Sequence, residues 1–232
     1  MSKVAAKNNA GKKYLLKLSI AGVVSSVILP GKYSLDFIKT LKVRYRYFIS
    51  KKPEAGVRLV YKGRPDKYSF ENFLRLTYSS LLLRKEGFLL HSSGVICRGK
   101  GYIFTGVSGA GKTTAAEESK KYGLVLSDEI LALRKIDGGW KLFGTPFMGL
   151  MLGGGRNRSI KKPRLLYLRQ AKKNVLKRIS MEKAWAKLLR NVVLYKPEKK
   201  ITGLTFDFVS SVRKEILEFR KTGFWRVLWA AK

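Results

Sequence analysis

Three residue types on which chemistry is commonly built are scarce here: the 232 residues include one cysteine, one histidine and fifteen acidic residues. Cys97 alone forms no internal disulfide, which suits a reducing cytoplasm. A zinc site needs several His or Cys ligands, and the chain has one of each. Long apolar runs are missing as well. The longest uncharged run, Leu18 to Gly31, is shorter than the roughly 20 residues that cross a bilayer. Lys12 and Lys13 followed by apolar residues superficially evoke a secretion signal, but Lys17 interrupts the stretch and no small-residue cleavage pattern follows. The alternation from Tyr14 to Ile20 predicts a strand instead. We therefore expect a cytoplasmic protein without a transmembrane segment, and 45% apolar composition is ample for a core.

Against so few acids the forty-nine Lys and Arg leave a formal net charge of +34. The segment Arg156 to Lys200 alone holds sixteen basic residues against two acidic ones. Such a field draws polyanions: an acidic peptide, an anionic surface, or nucleic acid held without sequence preference. A high-temperature adaptation would raise Glu along with Lys, which has not happened.

What is abundant locally is glycine, in one informative place. Gly106-Val107-Ser108-Gly109-Ala110-Gly111-Lys112-Thr113 matches the phosphate-binding loop pattern G-x-x-x-x-G-K-[ST]. Gly106, Ser108, Gly109, Ala110 and Gly111 let the backbone curl round a polyphosphate, so that its N–H groups and the following helix N-terminus meet the oxygens. Lys112 supplies a charge for the β- and γ-phosphates. The Thr113 hydroxyl is placed for Mg²⁺, and Thr114 follows in the first turn. The flanking context is right: an apolar run Gly101 to Thr105 enters the loop, and an Ala- and Glu-rich helix from Lys112 to Tyr122 leaves it, stopped by Gly123.

A helix of eleven residues returns about 16 Å, and the strand Leu124 to Asp128 climbs about the same distance at ~3.3 Å per residue. Asp128 and Glu129 therefore reach the level of the phosphates, provided the two strands run parallel through a right-handed crossover. An Asp-Glu pair at a strand end is commonly a solvated turn. At this spacing one carboxylate can hold Mg²⁺ and the other can deprotonate an attacking hydroxyl. His91 follows Phe88-Leu89-Leu90 and reads either as a half-buried polar residue at a strand start or as a proton-sharing group at the site.

The stretches Leu90 to Val95, Gly99 to Thr114 and Leu126 to Glu129 resemble the catalytic core of HPr kinase/phosphorylase and its relatives. The likeness spans roughly Gly87 to Phe147. It implies an α/β fold shared with phosphoenolpyruvate carboxykinases, with a mixed sheet and a small N-terminal α+β section. It also implies ATP and Mg²⁺ as cofactors, His91 near the transferred group, Asp128 as base and Glu129 at the metal, although one sequence leaves open which carboxylate does which. Asp128-Glu129 stands where HPr kinases usually have Asp-Asp, and their Glu-Ile-Arg-Gly segment is absent. Phe143-Gly144-Thr145-Pro146-Phe147-Met148-Gly149 is similar instead to shorter HPr-kinase-like proteins, some of which phosphorylate a serine of a precursor peptide. These departures point away from HPr as substrate and from phosphorylase activity. HPr kinases form hexamers, though no segment here requires an oligomer.

The expected organisation is a strand-rich section 1–86 ending in a helix, then a kinase-like domain 87–232 with basic C-terminal helices. Strands are expected over Leu15 to Val27, Val43 to Ile49 and Val57 to Lys62, then a helix from about Phe70 to Lys85. Asp137-Gly138-Gly139 marks a hairpin, and Leu165 to Leu168 reads as a strand. Met181 to Val193 and about Phe206 to Lys221 read as helices. Arg156 and Arg158, on the glycine-rich loop from Met151, are candidates for substrate contact. The function expected is transfer of the ATP γ-phosphoryl group to a serine of a peptide or protein. The rivals are a kinase of a small molecule or nucleic-acid end, and a non-catalytic, nucleotide-responsive nucleic-acid-binding protein.

Overall fold

The computed structural model describes residues 13–52, 56–147, 149 and 155–231. Met148 and Met151 to Gly154, singled out above, lie outside the described residues. The chain opens with strands β1 (Lys13–Ile20) and β2 (Val23–Pro30), helix α1 (Leu35–Arg44), strand β3 (Val57–Val60) and helix α2 (Lys67–Arg84). β4 (Gly87–His91), β5 (Ser93–Cys97) and β6 (Lys100–Thr105) lead through the phosphate loop into α3 (Lys112–Ser119). Next come β7 (Leu124–Ser127), β8 (Ile130–Ile136), β9 (Gly139–Phe143), β10 (Ser159–Lys161), β11 (Arg164–Gln170), β12 (Val175–Arg178), α4 (Met181–Leu189) and β13 (Val192–Val193). α5 (Lys199–Ser211), β14 (Lys214–Phe219) and α6 (Phe224–Ala230) complete the described chain.

These elements make a mixed α/β structure with three sheets among the described residues: β1-β2-β3, β10-β9-β8-β4-β13 and β12-β14-β11-β6-β5-β7. Two-residue turns with both φ positive, Ala21-Gly22, Arg98-Gly99 and Asp137-Gly138, close the hairpins β1-β2, β5-β6 and β8-β9. Such turns match the right-handed twist of the strands they join.

The layers follow from which faces are apolar. Leu89, Ile130 and Ala132 turn one face of the five-stranded sheet toward the N-terminal section, where Phe70, Leu74, Tyr78 and Leu82 form the buried stripe of α2. Phe88, Leu90, Leu131 and Leu133 turn its other face toward Ile103, Leu126 and Leu165 of the six-stranded sheet, with α4 and α5 at the margin. That sheet's far face carries Val95, Tyr102, Phe104 and Leu166 against α3 and the aromatic helix α6. The expected N-terminal section thus shares one apolar cluster with residues beyond 87.

Several expectations need correction. The stretch Leu15 to Val27 is not one strand but is broken at Ala21-Gly22 into β1 and β2. The helix from Met181 ends at Leu189, and Val192–Val193 pairs with β4. The helix from Lys112 ends at Ser119. Val43 to Ile49 is not a strand: it is the end of α1 followed by a 3₁₀ turn over Arg46–Phe48. Burial explains this, since Phe37, Ile38, Leu41, Tyr45 and Phe48 are buried at helical spacing while Val43, Tyr47 and Ile49 are exposed. Ser34 caps the helix by accepting the Phe37 N–H at 3.2 Å. Likewise the segment Phe206 to Lys221 is not one helix. α5 ends at Ser211, and Lys214–Phe219 joins the sheet in parallel with β11, a long-range pairing that local propensity does not encode.

Candidate functional site

The site is assembled on one edge of the six-stranded sheet. β6, β11 and β14 run parallel, while β5 is antiparallel to both β6 and β7. β6 and β7 therefore point the same way, as expected, but β5 lies between them rather than leaving them adjacent. The phosphate loop, Asp128, Gln170 and Phe219 all leave the same edge. Lys172, Lys173 and Arg220 follow β11 and β14 there and make that edge positive.

The phosphate loop has the conformation its glycines predict. Gly111 sits at φ +98° as the cap of α3 with no side-chain hydrogen bond to the helix, so the first N–H groups of α3 are left for a ligand. A Cβ on Gly111 would stand 2.7 Å from the Phe219 ring. Gln170 braces the loop, its Nε2 donating to the Gly109 carbonyl at 2.7 Å. Lys112 is 9% exposed, and its Nζ donates to the Gly106 and Val107 carbonyls at 3.0 and 3.2 Å. Burial lowers this ammonium below the ordinary lysine value, so a polyphosphate would meet a cation short of counter-charge. Thr113 and Thr114 are partly buried in the first turn, and Val107, Ser108 and Gly109 are exposed at the loop tip.

Asp128 and Glu129 follow β7 in a turn held by two hydroxyls. Ser127 Oγ accepts the N–H groups of Glu129 and Ile130, each at 3.3 Å, and donates to the Phe147 carbonyl at 3.0 Å. Thr145 Oγ1 donates to the Ile130 carbonyl at 2.5 Å and accepts the Phe147 N–H at 3.3 Å. The Gly-Thr-Pro segment is thus a clamp on the acidic turn.

The two carboxylates have different surroundings. Asp128 is 7% exposed, and its Oδ1 accepts the Gly149 N–H at 3.1 Å. Both oxygens of Glu129 accept from the Arg75 guanidinium, at 3.1 and 2.9 Å. Arg75 also donates to Glu71 at 2.6 Å, and Glu71 in turn pairs with Arg44. This chain of ion pairs ties the acidic turn to α1 and α2. Arg75 was not among the residues singled out in the sequence; the one local trace of it is the Glu71/Arg75 spacing, an i,i+4 pair on α2.

His91 ends β4 opposite Ile130, and its N–H donates to the Asn191 carbonyl at 2.7 Å. Burial lowers the imidazole pKa, the positive charge of Lys112 adds to this, and Glu129 partly offsets both, with Arg75 again lowering. The structure thus brings His91 within electrostatic reach of Lys112 and Glu129. The Arg156 backbone N–H donates to the Leu126 carbonyl of β7 at 2.9 Å while its guanidinium stands 4.3 Å from the Tyr47 ring centroid, and Arg158 is exposed.

The donor set suits magnesium. A hydroxyl from Thr113 and a carboxylate from Asp128 are hard oxygens, and Mg²⁺ is commonly held by one or two carboxylates together with substrate phosphates. Among the described residues no group of three His, Cys, Asp or Glu gathers as a self-sufficient metal cage. Glu129 fits less well, because Arg75 already occupies both its oxygens.

No protein-family model matches the chain, and no curated protein matches it. The structure of the Hpr(Ser) kinase/phosphatase from Coxiella burnetii is similar at a TM-score of 0.30 and 13% identity, over 53% of this chain and 88% of that one. No helix among the described residues is long and apolar enough to cross a membrane.

Proposed function

We propose that the chain is an ATP-dependent phosphotransferase of the HPr-kinase-like type, moving the γ-phosphoryl group to a hydroxyl, in the first instance a serine of a peptide or protein. The observation that carries this reading is that the phosphate loop and the buried Asp128 leave the same edge of the six-stranded sheet, with His91 at the end of β4 in the facing sheet, where the charge of Lys112 acts on it. A site that only bound anions would gain nothing from a carboxylate placed there.

The loop amides and Lys112 would hold the β- and γ-phosphates, giving up the Gly106 and Val107 carbonyls for phosphate oxygens. Thr113 and Asp128 would hold Mg²⁺, whose chemistry is to neutralise charge on the phosphate oxygens. Asp128 is also the group positioned to take the acceptor proton. As the acceptor oxygen bonds to the γ-phosphorus, the bond to the β–γ bridging oxygen breaks, ADP leaves and the proton goes to the carboxylate. His91, kept neutral by burial and by Lys112, can donate one hydrogen bond to a γ-oxygen. Glu129, locked to Arg75, would orient the turn rather than react.

The test uses calorimetry with Mg-ATP and a transfer assay on serine peptides. Lys112→Ala should weaken nucleotide binding at least tenfold. Asp128→Asn should bind within a few fold of the parent yet transfer roughly 10²-fold more slowly, the scale of a lost positioned base. Parent-like behaviour of both variants refutes the site. Tight nucleotide binding with no transfer to any acceptor favours a nucleotide-responsive binding protein.

A further inference from the structure

The geometry points to an acceptor that carries an oxyanion of its own, bound by Lys187 and Arg190 in a cavity that opens on the start of the phosphate loop. This assignment rests on the phosphotransferase reading above. The cavity has a volume of about 560 Å³. Gly106, Val107 and Ser108 form one wall, Tyr167 and Ile216 line it from the sheet, and the C-terminal end of α4 closes it.

Three cations face this space, and they are not equivalent. Arg169 is neutralised by Glu218 on the neighbouring strand, which also pairs with Lys177 at 2.9 Å. Lys187 and Arg190 have no carboxylate partner among the described residues. They stand three apart at the end of α4, so their side chains share one face and repel each other. A bound anion would relieve that repulsion. Tyr167 cannot serve as a polar anchor, because its hydroxyl already donates to the Ala184 carbonyl at 2.5 Å.

Position makes this an acceptor site rather than a patch of surface charge. Asn191 lines the cavity, and its carbonyl accepts the backbone N–H of His91 at 2.7 Å. A ligand in the cavity thus has the phosphate loop on one side and Asn191, one hydrogen bond from the end of the strand bearing His91, among its other neighbours. A hydroxyl a few bonds from the bound oxyanion is placed to approach the transferred group, whereas a neutral alcohol gains no anchor from the two cations.

Two sources carry such an oxyanion next to a hydroxyl: a serine peptide flanked by Asp or Glu, and a small phosphorylated alcohol. Calorimetry on the full chain, saturated with a non-hydrolysable Mg-ATP analogue, separates them when each arm uses a defined probe. The probes are an Asp/Glu-flanked serine peptide, sn-glycerol 3-phosphate, and a neutral serine peptide as control. We expect at least one anionic probe to bind and the neutral peptide not to. The double variant K187Q/R190Q should lose at least tenfold in that affinity, with nucleotide affinity within twofold of the parent and an unchanged melting temperature, both side chains being exposed. Binding of neither anionic probe, or equal binding by variant and parent, overturns the proposal while leaving nucleotide binding intact. Failure of the parent to bind the nucleotide at all removes the kinase reading, and the acceptor assignment with it.

Discussion

Arg75 holds Glu129 by both carboxylate oxygens, at 3.1 and 2.9 Å, across fifty-four residues of sequence. The pairing gives two adjacent carboxylates different surroundings: Glu129 is held by an arginine from α2, and Asp128 is buried with its Oδ1 accepting the Gly149 N–H. It also makes the N-terminal section part of the site's support rather than an appendage to it.

Breaking this pair should cost stability more than removing the charge of Glu129 alone. Arg75→Ala leaves Glu129 and Glu71, the latter only 6% exposed, short of counter-charge. Losing one partner of a buried pair costs about 3–5 kcal/mol, and the remaining Arg44–Glu71 contact puts the expected loss near about 3 kcal/mol. Glu129→Gln keeps a hydrogen-bond acceptor for Arg75 and should lose less, and Arg75→Lys should fall between because it cannot reproduce the fork. Urea unfolding measures the order. An Arg75→Ala variant as stable as the parent would show the ion-pair chain to be ornamental.

His91 should be neutral at pH 7 in the free protein. Burial, then Lys112, hold its pKa below the ordinary 6.5. The native state then binds fewer protons than the unfolded chain over that interval, so stability falls as pH drops from about 6.5 through the native value. His91→Gln should flatten this slope. NMR titration of the single imidazole reads the midpoint directly, and Mg-ATP should move it upward as phosphate offsets the charge of Lys112. A midpoint at or above 6.5 without ligand contradicts the burial of the imidazole and the opposing charge of Lys112.

The two inner loop glycines should tolerate alanine differently. Gly109 has φ +75° with open space where a Cβ would go, so Gly109→Ala meets conformational strain alone, about 1–2 kcal/mol. Gly111→Ala adds a 2.7 Å clash with Phe219 at φ +98° and displaces the start of α3. Nucleotide affinity should therefore drop at least tenfold for Gly111→Ala and only a few fold for Gly109→Ala. Equal affinities would mean that the loop's seat against Phe219 plays no part in binding.

The phosphate loop, its entering strand and its leaving helix were legible because each depends on neighbours in sequence: glycine at positive φ, a cap, an apolar run, a stop. The same holds for the hairpin at Asp137-Gly138 and for the buried stripe of α2, where a period of 3.6 in apolar residues survives any context. The shared direction of β6 and β7 agrees with the expectation, although α3 is eight residues long rather than eleven. Tertiary structure decided what depends on partners far away. β14 is a strand because β11 and β12 flank it, not because Lys214 to Phe219 prefers to be one. β5 lies between β6 and β7 because it pairs antiparallel with both, and its pairing with β7 reaches across the phosphate loop and α3. Above all, Asp128 and Glu129 are adjacent and chemically alike in the sequence, and only folding brings Arg75 to one of them. A carboxylate's role is set by the charges within a few ångström of it, and those neighbours are chosen by packing rather than by spacing along the chain.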